Sequence, residues 1–197
     1  MNDRESMYKA LTHAAWGYVF LYFDLNLGTV SITPAFVGYL LFLSALGPLS
    51  GERRDLALLR PLGILLAISG GVNWVASWGF SLPGQLLPLN LLIAAAGLYF
   101  HFQFLTDMAA IAAGHQGPGG TLDRTLLTAR TVHTVFFTVL NLWGTLAPSV
   151  LSAFPAAEDL STALTFVLLA GELIVMVYIV AKVFALRKLF APPKEPA

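Results

Sequence analysis

The 197-residue chain contains no cysteine, which excludes disulfides, thiolate catalysis and thiolate metal sites. Charge is scarce as well. Only 11% of residues are Asp, Glu, Lys or Arg, against about 25% in an ordinary soluble domain. The formal net charge is zero, so bulk electrostatics gives no reason to expect a nucleic-acid partner. The third shortage is positional. Residues 24–32, 81–85 and 155–159 are turn-like connections without a single lysine or arginine.

What the chain does hold is apolar surface: 57% hydrophobic residues and a mean hydropathy of +0.74. A core of this size cannot hide that much, and lipid is its natural solvent. Six stretches are candidate membrane helices: 8–24, 33–49, 61–80, 86–106, 131–154 and 160–186. The first has Arg4 and Lys9 ahead of it, as a signal peptide would. The following DLNLGTVSITP offers no small-x-small cleavage site, so it is read as a membrane helix.

The basic residues order these stretches. Arg4, Lys9, Arg53, Arg54, Arg60, Arg124, Arg130, Lys182, Arg187, Lys188 and Lys194 fall at the termini, in 50–60 or in 107–130. By the positive-inside rule those segments face the cytoplasm. The expectation is an all-α membrane protein of the cell membrane, a bundle of six transmembrane helices in three hairpins with both termini cytoplasmic. A re-entrant hairpin at 8–49 keeps the same charge pattern. Residues 1–190 form one domain, and the proline-rich APPKEPA at 191–197 reads as a disordered cytoplasmic tail. Gly63, Ala67 and Gly71 form a small-residue stripe that predicts tight packing of 61–80 on 86–106, with Gly70-Gly71 as a bend.

Glu172 is the most informative single residue. It lies about 18 Å along the last span from its outer end at 1.5 Å per residue. A carboxylate at that depth is costly unless neutral, paired or beside a hydrated cavity. Asn73, Asn141 and Ser44 fall at similar depth on other spans, and Trp74, Trp143 and Tyr178 supply aromatic walls. The sequence offers Glu172 no basic counter-charge in that layer. Together these residues predict a polar midplane site for a proton, a cation or a small polar ligand. The bland alternative is a protonated Glu172 that hydrogen-bonds a neighbouring helix.

His13, His101 and His133 form a separate layer nearer the cytoplasm and are the only candidates for haem or metal ligation. No pair of them shares a helical face, so neither cofactor is expected. GHQGPGG lacks the lysine of a phosphate loop and reads as a flexible linker. ERRDLALLR reads as topology-setting charge that also suits anionic lipid.

Asp24, Asn26, Gly28, Pro34, Phe36, Gly38 and Tyr39 make a D-x-N-x-G…P-x-F-x-G-Y segment. It resembles a segment between the first two helices of small, uncharacterised bacterial six-helix integral membrane proteins. In that pattern an acid commonly follows the proline, where this chain has Ala35. The resemblance covers the first quarter of the chain and implies a shared fold and a bacterial origin, with no activity attached. Size, span count and cytoplasmic termini are also similar to the substrate-binding subunits of energy-coupling-factor vitamin transporters, by analogy of fold alone.

The leading functional expectation is a small binding or transport module. The alternative is an accessory membrane protein that assembles with partner subunits or with itself. A membrane enzyme comes third, since no catalytic constellation is visible.

Overall fold

The computed structural model describes residues 3–23, 26–27, 30–31, 34–78 and 87–192. The helices are α1 (Asp3–Tyr22), α2 (Ala35–Leu49), the single turn α3 (Asp55–Leu58), α4 (Arg60–Ser77), α5 (Leu87–His115), α6 (Leu122–Ala153) and α7 (Glu158–Lys188). Between α1 and α2 a minimal antiparallel ladder pairs β1 (Asn26–Leu27) with β2 (Val30–Ser31). A 3-10 turn, Pro155–Ala157, joins α6 to α7.

Local chemistry explains the ends. Pro34, with extended backbone, precedes α2, and Pro61 occupies the first turn of α4, where its missing N–H costs nothing. Glu158 and Asp159 open α7, and Arg187 and Lys188 close it, each opposing the helix dipole.

Apart from α3, each helix packs on its predecessor, and α7 returns to pack on α1. The six principal helices therefore form a closed ring. Tyr18, Phe42, Phe100 and Phe104 fill its interior, with ring centroids of Tyr18–Phe42 and Phe42–Phe104 both 4.9 Å apart and close to perpendicular. Edge-to-face pairs of this kind add about 0.5–1.5 kcal/mol each beyond burial.

The tightest helix approaches are made by glycine. A Cβ on Gly38 would lie 2.7 Å from the carbonyl oxygen of Gly17, so α1 and α2 cross backbone to backbone. Gly63 receives Leu43 and Phe100, and Gly70 receives Phe36. The small-residue face of α4 is thus used chiefly by α2, not by α5 as expected from the hairpin, because α2 fills the space between α1 and α4. The α4 helix runs through Gly70-Gly71 without interruption.

The close-packed core occupies one end of the ring. Buried residues stop at Leu66 on α4 and at His133 on α6; on α7 they run from Glu172 to Leu186, with Ser161 apart. Toward the other end α6 and α7 present Leu142, Leu146, Phe166 and Val167 outward.

Four helical stretches are long and apolar enough to cross a membrane: Asp55–Ser77, Leu91–His115, Leu122–Ala153 and Glu158–Lys188. α2 is a shorter apolar helix of 15 residues, and α1 carries Asp3, Arg4, Glu5 and Lys9 in its first two turns.

The expected 107–130 connection is much shorter. α5 extends to His115 and α6 begins at Leu122. The glycine-rich run is not a slack linker. Gln116 Oε1 accepts from the Leu122 N–H at 2.9 Å, and Gln116 Nε2 donates to Asp123 at 2.8 Å. Gly119 turns the chain with φ +82°. Of the expected tail, residues 193–197 lie outside the described residues, as do Asp24 and Gly28 of the first connection.

Candidate functional site

Glu172 begins the inward stripe of α7. Glu172, Met176, Ile179, Val183 and Leu186 are buried at alternating spacings of four and three. On α6 the inward stripe is Leu126, Ala129 and His133. The two stripes meet at their polar members: His133 Nδ1 and Glu172 Oε1 share a hydrogen bond of 2.6 Å. The approach depends on Gly171. A Cβ there would run into the Phe136 ring of α6.

Four further polar side chains gather around this pair. His101 of α5 has its ring centroid 5.9 Å from that of His133. Tyr22 of α1 stands 6.0 Å from His133 and 6.1 Å from His101. Tyr18 of α1 and Tyr39 of α2 approach His101 at 5.5 and 6.1 Å. Five helices thus contribute to one cluster. His101 and His133 are fully enclosed, and 11% of the Glu172 side chain reaches the surface.

The cluster is under-satisfied. Tyr18 OH, His101 Nδ1, His133 Nε2 and Glu172 Oε2 are buried with no hydrogen-bond partner among the described residues. Each unpaired buried polar group costs about 1–3 kcal/mol. Four of them belong to this one cluster.

The other expected site residues are elsewhere. Asn73 is exposed on α4. Asn141 is exposed on α6, donates to its own Phe137 carbonyl at 2.8 Å and borders a groove of about 360 Å³ between α5 and α6. Ser44 pairs with His13 at 2.8 Å, away from the cluster. Trp74 packs on Phe36 and Trp78, and Trp143 donates to Thr165 Oγ1 at 3.0 Å. Tyr178 lies under the Lys182 ammonium, 4.8 Å from its ring centroid. Equal depth along separate helices did not translate into proximity, because these residues project from different faces. The assignment of Glu172 and the histidines to separate layers is corrected in the same way: His133 is the partner of Glu172.

Among the described residues no group of three His, Cys, Asp or Glu side chains can hold a metal ion. Tyr22 lies against both imidazoles.

The sequence reading did not single out Tyr18 or Tyr22, and Tyr39 entered it only as the end of the D-x-N-x-G…P-x-F-x-G-Y segment. Periodicity carried a signal for Tyr18, since Met7, Leu11, Ala14 and Tyr18 repeat at four, three and four.

At the end that holds the termini, a second network ties the elements together. The fully buried carboxylate of Asp107 on α5 accepts from Gln103 at 3.1 Å and faces Arg53 at 3.7 Å. Arg130 on α6 donates to Thr106 at 2.9 Å while its guanidinium covers the Phe102 ring. Arg4 donates to the Leu189 carbonyl at 3.3 Å, and Arg187 stacks on Tyr8 and Phe184.

No protein-family model, curated protein or solved structure matches the chain.

Proposed function

We propose that the chain is a six-span integral membrane protein of the cell membrane with cytoplasmic termini, acting as a small binding or transport module. Its polar centre is the cluster of Glu172, His133 and His101, and the species it handles is a proton or a small cationic or polar ligand. The observation that carries this reading is that four buried polar atoms of one side-chain cluster have no hydrogen-bond partner among the described residues. A merely structural Glu172 needs one partner, which His133 already supplies. The remaining unpaired atoms support a binding role for the cluster.

Charge and hydropathy support the six-span placement. The arginine-rich contacts gather at one end of the ring, and the apolar flanks of α6 and α7 suit lipid. The test is charge movement across proteoliposomes that contain the purified chain, under imposed proton and cation gradients. A current that disappears in Glu172→Gln supports the module. No current under any gradient, or a current indifferent to that substitution, overturns it.

The accessory reading draws on the α5–α6 groove. It is lined by Ala94, Ala95, Thr138 and Asn141, the small and polar residues that pack one membrane helix on another. Recovery of a stoichiometric partner protein from the membrane would favour that reading, and a monomer recovered alone would remove it.

A further inference from the structure

We propose that the species bound at the Glu172–His133–His101 cluster is a proton, held by the Glu172–His133 pair. This deepens the proposed module and rests on the reading of that cluster as its functional centre.

The first argument is space. His101 is ringed by Phe100 at 5.4 Å, Tyr18 at 5.5 Å, Phe42 at 6.0 Å, and Tyr22 and Tyr39 at 6.1 Å between centroids. His133 is held between Tyr22 at 6.0 Å and Phe137 at 5.7 Å. Rings at these separations are in contact, and an organic solute has no berth among them. Four grooves of about 300–440 Å³ on the described surface are not lined by Glu172, His133 or His101, although Phe137 borders the one between α5 and α6. A proton needs no cavity.

The second argument is the chemistry of the groups present. Every ionisable group in the cluster exchanges protons: Tyr18 and Tyr22 from α1, Tyr39 from α2, His101 from α5, His133 from α6 and Glu172 from α7. Among the described residues no lysine or arginine forms an ion pair with Glu172; its only such partner is His133. A fixed cation would lock the carboxylate in its charged form, whereas an imidazole leaves both forms open.

The proton inventory balances. In the proposed resting state one proton lies between Glu172 Oε1 and His133 Nδ1, which are 2.6 Å apart, and another is on His133 Nε2, so the pair is neutral. An incoming proton bonds to the free lone pair of Glu172 Oε2. The shared proton then settles on Nδ1. The product is a carboxylic acid beside an imidazolium, with one added positive charge. Tyr22 and Phe137 lie within the distance of about 6 Å at which aromatic rings stabilise a cation.

The experiment is a pH titration of the full chain in lipid nanodiscs with no solute added. It follows the infrared carboxylic-acid carbonyl band together with the ring-nitrogen NMR signals of ¹⁵N-labelled histidine. The expected result is that the carbonyl band and the His133 signals change at one common midpoint. Glu172→Gln removes the component of the band that titrates together with His133 and moves the His133 midpoint, while His13→Asn leaves both unchanged. Separate midpoints in the wild type, persistence of that component in Glu172→Gln, or no change throughout the folded range overturns the proposal. The wild-type coincidence decides by itself if Glu172→Gln does not fold. A transport current without a common midpoint sinks this inference and spares the module. A common midpoint without any current does the reverse.

Discussion

His133 on α6 and Glu172 on α7 form a 2.6 Å hydrogen bond inside the ring, and they are the last inward members of their stripes before the packed core ends. Removing one member of such a pair strands the other in a low-dielectric interior, at a cost of about 3–5 kcal/mol. Replacing both with apolar residues avoids that cost. Glu172→Leu and His133→Leu are therefore each expected to lower stability substantially, and the two together to cost less than the sum. Unfolding of the four proteins in detergent checks this cycle.

Backbone contact between α1 and α2 makes a second expectation. Gly38→Ala places a methyl against the Gly17 carbonyl, which cannot move aside, and is expected to cost about 1–3 kcal/mol. Gly171→Ala pushes on the Phe136 ring and is expected to loosen the His133–Glu172 bond as well. Gly144→Ala, where nothing lies within 4 Å, should fall within about 0.5 kcal/mol of wild type. Thermal unfolding midpoints of the three variants separate these outcomes.

Asp107 anchors the segment between α2 and α4 through Arg53. Asp107→Ala removes that anchor and leaves Gln103 without its acceptor, at an expected cost of about 1–3 kcal/mol. Limited proteolysis within residues 50–59 should become faster in the variant. Unchanged cleavage there would show that the ion pair does not restrain the segment.

The α5–α6 connection should behave as an ordered turn. Gly119→Ala forces a side chain into left-handed backbone, at about 1–2 kcal/mol, and Gln116→Ala removes the bonds to Leu122 and Asp123. Both variants are expected to speed amide exchange at residues 117–123, measured by mass spectrometry, with little change elsewhere.

The lack of native cysteine makes topology directly testable. Gly117→Cys and Ala156→Cys, both exposed, should react with an impermeant maleimide from opposite faces of the membrane. Labelling of both from the same face would overturn the orientation assigned to α6.

Much of the helix plan was legible in residue order. The six apolar stretches correspond to α1, α2, α4, α5, α6 and α7, because hydropathy and turn chemistry act locally along the chain. The ends of α5 and α6 were misjudged because Gln116 closes the connection with side-chain bonds that composition does not reveal. The site was legible only in part. Glu172 stood out because a carboxylate in an apolar run is conspicuous in one dimension. Asn73 and Asn141 stood out for the same reason, yet they face outward, and depth alone says nothing about azimuth.

The sequence by itself determined the helical class, the apolar character of the long helices and the gathering of basic residues in alternate connections, since each depends on what neighbouring residues are. Tertiary structure alone decided that His133 faces Glu172, that α7 closes on α1, and that tyrosines from α1 and α2 join histidines from α5 and α6. Those meetings depend on helix rotation and on the close crossings permitted by Gly38 and Gly171, which arise only when all six helices pack at once.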